Sequence, residues 1–105
     1  MSNLSISPAF VVIAEFLVKP GVMAAFLDAA REDAAQSMTK EQGCRQFDLI
    51  QLETLNNTVL FYEVYDSREA FNAHLKTLHL ANFRKAFPPL VVAEKQVRFA
   101  DRCYP

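Results

Sequence analysis

The fold class that this sequence predicts is α+β: a ferredoxin-like βαββαβ layout, with one antiparallel sheet carrying its helices on one face. Two observations predict it. Segments of strand and helix character follow the order strand, helix, strand, strand, helix, strand, and no repeat, linker or low-complexity stretch interrupts them. The two middle strands are separated only by "ETLNN", whose paired asparagines supply turn chemistry. On this reading residues 1–8 form a short flexible tail and residues 9–105 a single domain.

The first strand is "AFVVIAEFLV", residues 9–18, β-rich with a glutamate embedded in it. A helix follows, with Pro20 suited to its first turn, where a missing N–H is no loss. Met23, Phe26, Leu27, Ala30 and Ala34 recur at helical spacing, and Asp28, Arg31, Glu32 and Asp33 fall mostly on the opposite side. Gly43 is placed to stop that helix as a left-handed residue. Residues 44–52 and 58–65 make the two arms of a hairpin. "DSREAFNAHL" opens a helix with Asp66 or Ser67 as N-cap, and Glu69 would complete a capping box with Asp66. A third, short helix runs over about residues 78–87 and is ended by Pro88 and Pro89. "LVVAEKQVRFA", residues 90–100, is the last strand. Several strands are apolar on both faces while helices cover only one, so a homodimer packed sheet against sheet is expected.

Composition narrows the function classes. The chain has 105 residues, 51% hydrophobic and 22% charged, an ordinary globular balance for one core. A net charge of −1 without a basic block argues against nucleic acid as a partner. The longest apolar run, roughly from residue 9 and broken by Glu15, is far short of the roughly 20 needed to span a bilayer. "MSNLSISP" lacks the basic and apolar regions of a signal peptide, so a cytoplasmic location is expected. Cys44 and Cys103 have no CxxC or CxxH company and are read as reduced thiols, Cys44 in the core. Two glycines are too few for a phosphate-cradling loop.

Candidate chemistry gathers in "FYEVYDSREAFNAHLKTLHLANF", residues 61–83, which holds both histidines of the chain and a carboxylate inside an aromatic strand. Glu63 shares its strand face with Val59, Phe61 and Tyr65; Glu15 shares its own with Val11, Ile13 and Leu17. In this layout those strands are central neighbours, so the two carboxylates are candidates to lie close together in mid-sheet. A buried carboxylate must be paired, hydrogen-bonded or protonated. One reading is a structural ion pair with Arg45, Lys95 or Arg98; the other is a carboxylate that orients or tunes a pocket base. His74 lies on a helix flank half turned to the core, and His79 precedes Phe83 by one turn. Each is either a satisfied structural histidine or a base, since an imidazole suits proton abstraction near neutral pH. Two histidines five apart plus strand glutamates make weak evidence for a metal set, and no metal is expected.

In order and spacing, "VIAEFLVKPG", "EQGCRQFDLIQ", "FYEVYDSREAFNAHLKTLHLANF" and the closing strand resemble the antibiotic biosynthesis monooxygenase (ABM) superfamily over nearly all of residues 10–99. Within it the chain looks most like small bacterial quinol monooxygenases and the autoinducer-2 phosphate-processing isomerase. The resemblance implies a dimeric α+β barrel with exchanged C-terminal strands, a pocket between sheet and helices, and chemistry without flavin, haem or metal. It places His79, His74, Glu63 and Tyr65 at catalytic positions and Phe47, Phe83 and Phe61 around the substrate. The chain departs from the haem-degrading branch, which has a tryptophan where Tyr65 stands and an iron-ligating histidine where "FRKAF" offers none. The activity so implied is a cofactor-independent monooxygenase of a small phenol or quinol. Alternatives are an isomerase of a small hydroxy-ketone acting through an enol, and a non-catalytic small-molecule-binding or stress-response dimer.

Overall fold

Alternation of apolar residues in "FVVIAEFLV" makes a strand with two unequal faces. In the computed structural model, which describes residues 8–55 and 57–105, this segment is β1 (Phe10–Val18) and lies at the centre of the sheet. The expected tail falls outside the described residues apart from Pro8, as does Asn56 of the hairpin turn. β2 (Cys44–Gln51) and β3 (Thr58–Tyr65) form the hairpin, closed by Asn57 at φ 65°, a backbone asparagine tolerates better than most residues. The sheet runs β2-β3-β1-β4, the order expected of the ferredoxin-like layout. β1 and β3 are antiparallel, with Glu63 opposite Val12 and Glu15 opposite Leu60.

Helix α1 (Met23–Lys40) begins later than the sequence suggests. Pro20 is not in its first turn. Pro20 and Gly21 instead occupy the middle of a turn in which the Val22 N–H donates to the Lys19 carbonyl, and Gly21 takes the positive φ of 83° that a type II turn demands. Phe26, Ala30, Asp33, Ala34 and Ser37 are the buried residues of α1. Asp33 thus belongs to the core stripe rather than to the solvent side where its charge suggested it. The helix ends at Glu41, which is extended, and Gly43 has no left-handed backbone. Close approach explains that glycine instead: a Cβ there would lie 2.5 Å from the Cβ of Ala70.

Helix α2 (Arg68–His74) is capped by Ser67, whose Oγ accepts from the Ala70 N–H at 3.1 Å; Asp66 instead pairs with Arg45, so no capping box forms around it. Helix α3 (Leu78–Ala86) is capped by Thr77, which accepts from the Leu80 N–H and donates to the His74 carbonyl at 2.8 Å. One threonine therefore ties the end of α2 to the start of α3. After a 3₁₀ turn at Pro88–Leu90, the expected last strand comes as two pieces, β4 (Val91–Glu94) and β5 (Arg98–Asp101). Both lie on β1 of the same chain, β4 against its end and β5 against its start, and Val97 between them packs on the core.

The helices cover the face of Val12, Ala14, Phe16 and Val18, where Phe16, Phe26, Phe61 and Phe83 meet at ring distances of 4.8 to 6.2 Å. A smaller cluster, Ala9, Val11 and Val64 with Ile13 and Tyr62, occupies the other face. Glu63 stands on the helix face and Glu15 on the other. The two carboxylates are therefore separated by the sheet, not neighbours, because their strands meet with odd and even positions matched as the register dictates. No helix among the described residues is long and apolar enough to cross a membrane.

Candidate active site

Three elements end at one place. The last turn of α1 delivers Glu41, α2 finishes on His74, and α3 brings in His79 one residue after its first. His74 Nδ1 lies 2.8 Å from Glu41 Oε2, and His79 Nε2 meets that same oxygen. An ionised carboxylate only accepts, so both ring nitrogens donate. His74 therefore keeps its Nε2, and His79 its Nδ1, free of protons in the neutral form. Ser37 Oγ lies 3.5 Å from His74 Nδ1, and the two imidazole centroids are 5.9 Å apart.

Beside this trio stand two more acids on the core side. Glu63 is 5% exposed and accepts a hydrogen bond of 2.6 Å from the Tyr65 hydroxyl. Burial pushes its carboxyl up to about 8, against the opposing effect of the Tyr65 bond, so it is chiefly protonated at neutral pH. Asp33 is 2% exposed and is pushed up to about 7 by burial, with His79 pulling the other way. Its Oδ1 and the Oε1 of Glu41 are buried without a hydrogen-bond partner. Burial also holds His74 below the ordinary imidazole range despite the Glu41 carboxylate, which leaves it neutral at neutral pH. The Tyr65 hydroxyl is pushed far up by burial and by Glu63, and the Cys44 thiol up to about 12 by burial, so neither is an anion at working pH.

A cleft opens between the helix face of the sheet and α2 and α3. His74, Glu63 and Asp33 supply polar wall; Phe16, Phe61 and Phe83 supply aromatic wall. Its empty volume is about 450 Å³ including the mouth, of which about 50 Å³ is open to the centre of a water molecule. At the rim, Arg84 and Glu94 face each other at 3.8 Å, both largely solvated. A second cavity, between α1 and α3, is lined by Asp33, His79 and Phe83.

Of the residues singled out in the sequence, the structure brings His74, Glu63, Phe61 and Phe83 to the cleft. His79 reaches it only through Glu41 and lines the second cavity. Tyr65 is fully buried with its hydroxyl committed to Glu63, and Phe47 packs on His74 at a ring distance of 6.0 Å outside the cleft lining. Glu63 has no cationic partner among the described residues; Glu15 has Arg98, and Arg45 pairs with Asp66. Sequence reasoning missed Glu41 and Asp33. Asp33 was detectable from its spacing, since 26, 30, 33 and 37 form one stripe; Glu41 carries no such local signal.

Donors of this kind in an aromatic cleft can hold a small molecule, take a proton from it at His74 and return one from Glu63. The ABM family profile, antibiotic biosynthesis monooxygenase, matches residues 9–86. Among solved structures, a candidate antibiotic biosynthesis monooxygenase of Nitrosomonas europaea is similar at a TM-score of 0.89 and 26% identity, over 94% of each chain. PA3566 of Pseudomonas aeruginosa is similar at 0.84 and 25% identity, over 94% of this chain and 98% of the other. The protein sll1783 of Synechocystis sp. is 27% identical over 88 residues, 84% of this chain; the matched part is 59% of that relative's length. With three quarters of its residues under the family profile, the chain belongs to the antibiotic biosynthesis monooxygenase family.

Proposed function

We propose that the chain is a monooxygenase of a small phenolic or quinol-type substrate, started by proton abstraction at His74 and needing no resident cofactor. The observation that carries this reading is the 2.8 Å bond from His74 Nδ1 to Glu41 on a residue that also lines the aromatic cleft. Glu41 fixes the tautomer, so Nε2 is the nitrogen left to take a phenolic proton, and burial keeps the ring neutral and ready to do so. Glu63, protonated at neutral pH, is suited to donate to the substrate oxygen, with Tyr65 holding it in place. Phe61 and Phe83 supply flat apolar contact and exclude water, which raises the reactivity of the phenolate toward oxygen.

The electrons come from the substrate. Dioxygen adds one oxygen to a ring carbon, that carbon loses its hydrogen, and the second oxygen leaves as water, so that a phenol becomes a quinone. An aromatic substrate needs more room than the cleft holds at rest, and the solvated Arg84–Glu94 pair at its rim is weak enough to open. On this reading His79 acts in support through Glu41, and Phe47 by packing behind His74. A homodimer joined through the face of Val11 and Val64 completes the proposal, since that cluster lies away from all three helices.

The same pairing of a base and a protonated acid favours a second reading, an isomerase that moves a proton through the enol of a hydroxy-ketone. Oxygen uptake separates the two. Purified protein given a panel of hydroquinones and phenols should consume oxygen, and His74→Ala should lose about 10²- to 10⁴-fold in rate. Absence of uptake across the panel would sink the oxygenase, and proton exchange into hydroxy-ketones would then decide between isomerase and plain binder.

A further inference from the structure

We propose that Glu41, His74 and His79 form a binding site for a divalent first-row transition cation, of which zinc(II) and cobalt(II) are the probes. One carboxylate oxygen, His74 Nδ1 and His79 Nε2 all lie within 4.8 Å of one another. They come from three separate helix ends, and Thr77 holds two of those ends together through its bonds to the His74 carbonyl and the Leu80 N–H. Two imidazoles and one carboxylate are borderline donors, which suit zinc, cobalt, nickel or copper better than magnesium or calcium. Three protein donors with a place left for water is the usual pattern of an open zinc site.

Arg84, which faces Glu94 at the cleft rim, supplies the positive charge nearest these acids. Asp33, Glu41 and Glu63 are gathered in or beside the core, and among the described residues none of them pairs with a lysine or arginine. Glu41 Oε1 and Asp33 Oδ1 are buried and unpartnered. A cation held on Oε2 would add positive charge beside both unpartnered oxygens, whereas the two imidazole N–H groups satisfy only Oε2.

Binding and proton abstraction exclude each other at this site. With the cation on Nδ1, the His74 proton moves to Nε2 and that of His79 to Nδ1; no proton is gained or lost, and His74 has no free nitrogen for a substrate. A transition cation therefore inhibits the enzyme. That consequence rests on the oxygenase reading above, while cation binding does not.

The test is a cobalt(II) titration of the Cys103→Ser protein, followed by visible d–d absorption, with zinc(II) calorimetry alongside. Saturation at one cation per chain is expected, without a thiolate charge-transfer band. Glu41→Gln, which keeps the size of the side chain, and His79→Ala should each weaken binding at least about tenfold, the least that loss of even a supporting group costs a metal site. Copper(II) on the unsubstituted trio should show hyperfine coupling to imidazole nitrogen, a readout that needs no variant to fold. Failure to saturate at millimolar cation, affinity in both variants equal to that of the parent, or no nitrogen coupling would each overturn the site. Cation binding without inhibition of oxygen uptake would overturn the exclusion argument alone.

Discussion

Glu15 and Glu63 sit on adjacent strands of one sheet, and their surroundings differ as much as two carboxylates in a small protein can. Glu15 is on the open face, a quarter exposed, with Arg98 at 3.3 Å and water at hand. Glu63 is on the helix face, buried in the wall of the aromatic cleft, with a tyrosine hydroxyl as its partner and no ion pair among the described residues. The first is an ordinary solvated ion pair. The second keeps its proton because burial denies it water, against the opposing Tyr65 bond. A single carboxylate type thus ends as a solvated ion-pair partner or as a buried, protonated acid, depending on which way the strand's alternation points it.

The largest difference between the faces should come from Tyr65→Phe. Losing the hydroxyl leaves a buried Glu63 oxygen without its donor and should cost about 1–3 kcal/mol in denaturant unfolding. A loss no larger than that of a surface substitution would mean that Glu63 finds another partner and that the buried pair is not structural.

Glu63→Gln sharpens the contrast through pH. The Glu63 carboxyl is raised from 4.5 to about 8 in the fold, so across that window the unfolded chain has released a proton that the folded chain still holds. Stability therefore falls as pH rises through it, and Asp33, raised to about 7, adds to the fall. His74, lowered in the fold, acts with the opposite sign and costs stability only as pH drops below its ordinary value. The melting temperature of Glu63→Gln relative to the parent should consequently climb between about pH 5 and pH 9, by about 4–8 °C for each kcal/mol relieved. A difference that stays flat with pH would show Glu63 ionised throughout.

The smallest effect belongs to the open face. Arg98→Ala should cost no more than about 1 kcal/mol and less still at high salt. A cost equal to that of Tyr65→Phe would erase the distinction between the faces.

Much of this arrangement is legible in the sequence. Period-two alternation in β1 and β3, helical spacing in α1 and the proline stop after α3 each follow from local rules, and together they specify the layout. Punctuation was less transparent. Pro20 serves a type II turn with Gly21, Gly43 makes room for Ala70, and Val97 interrupts what reads as one continuous strand; each depends on what lies across space. The same holds for the site. Glu63, His74 and His79 stand out as polar residues in apolar company. Asp33 shows only in its spacing and Glu41 not at all, because an acidic residue on an amphipathic helix or at its end reads as solvated until α3 is laid over it. Glu41 is the member that gives the two histidines a common purpose, and no local pattern announces it.

The most direct test of this account is the tautomer and charge of the two imidazoles, read by long-range ¹H–¹⁵N correlation on uniformly labelled protein at neutral pH. Glu41 accepting from His74 Nδ1 and His79 Nε2 predicts opposite tautomers, with His74 neutral and carrying its proton on Nδ1. Finding His74 as an imidazolium, or with its proton on Nε2, would contradict the account, because the nitrogen assigned to take the substrate proton would already be occupied.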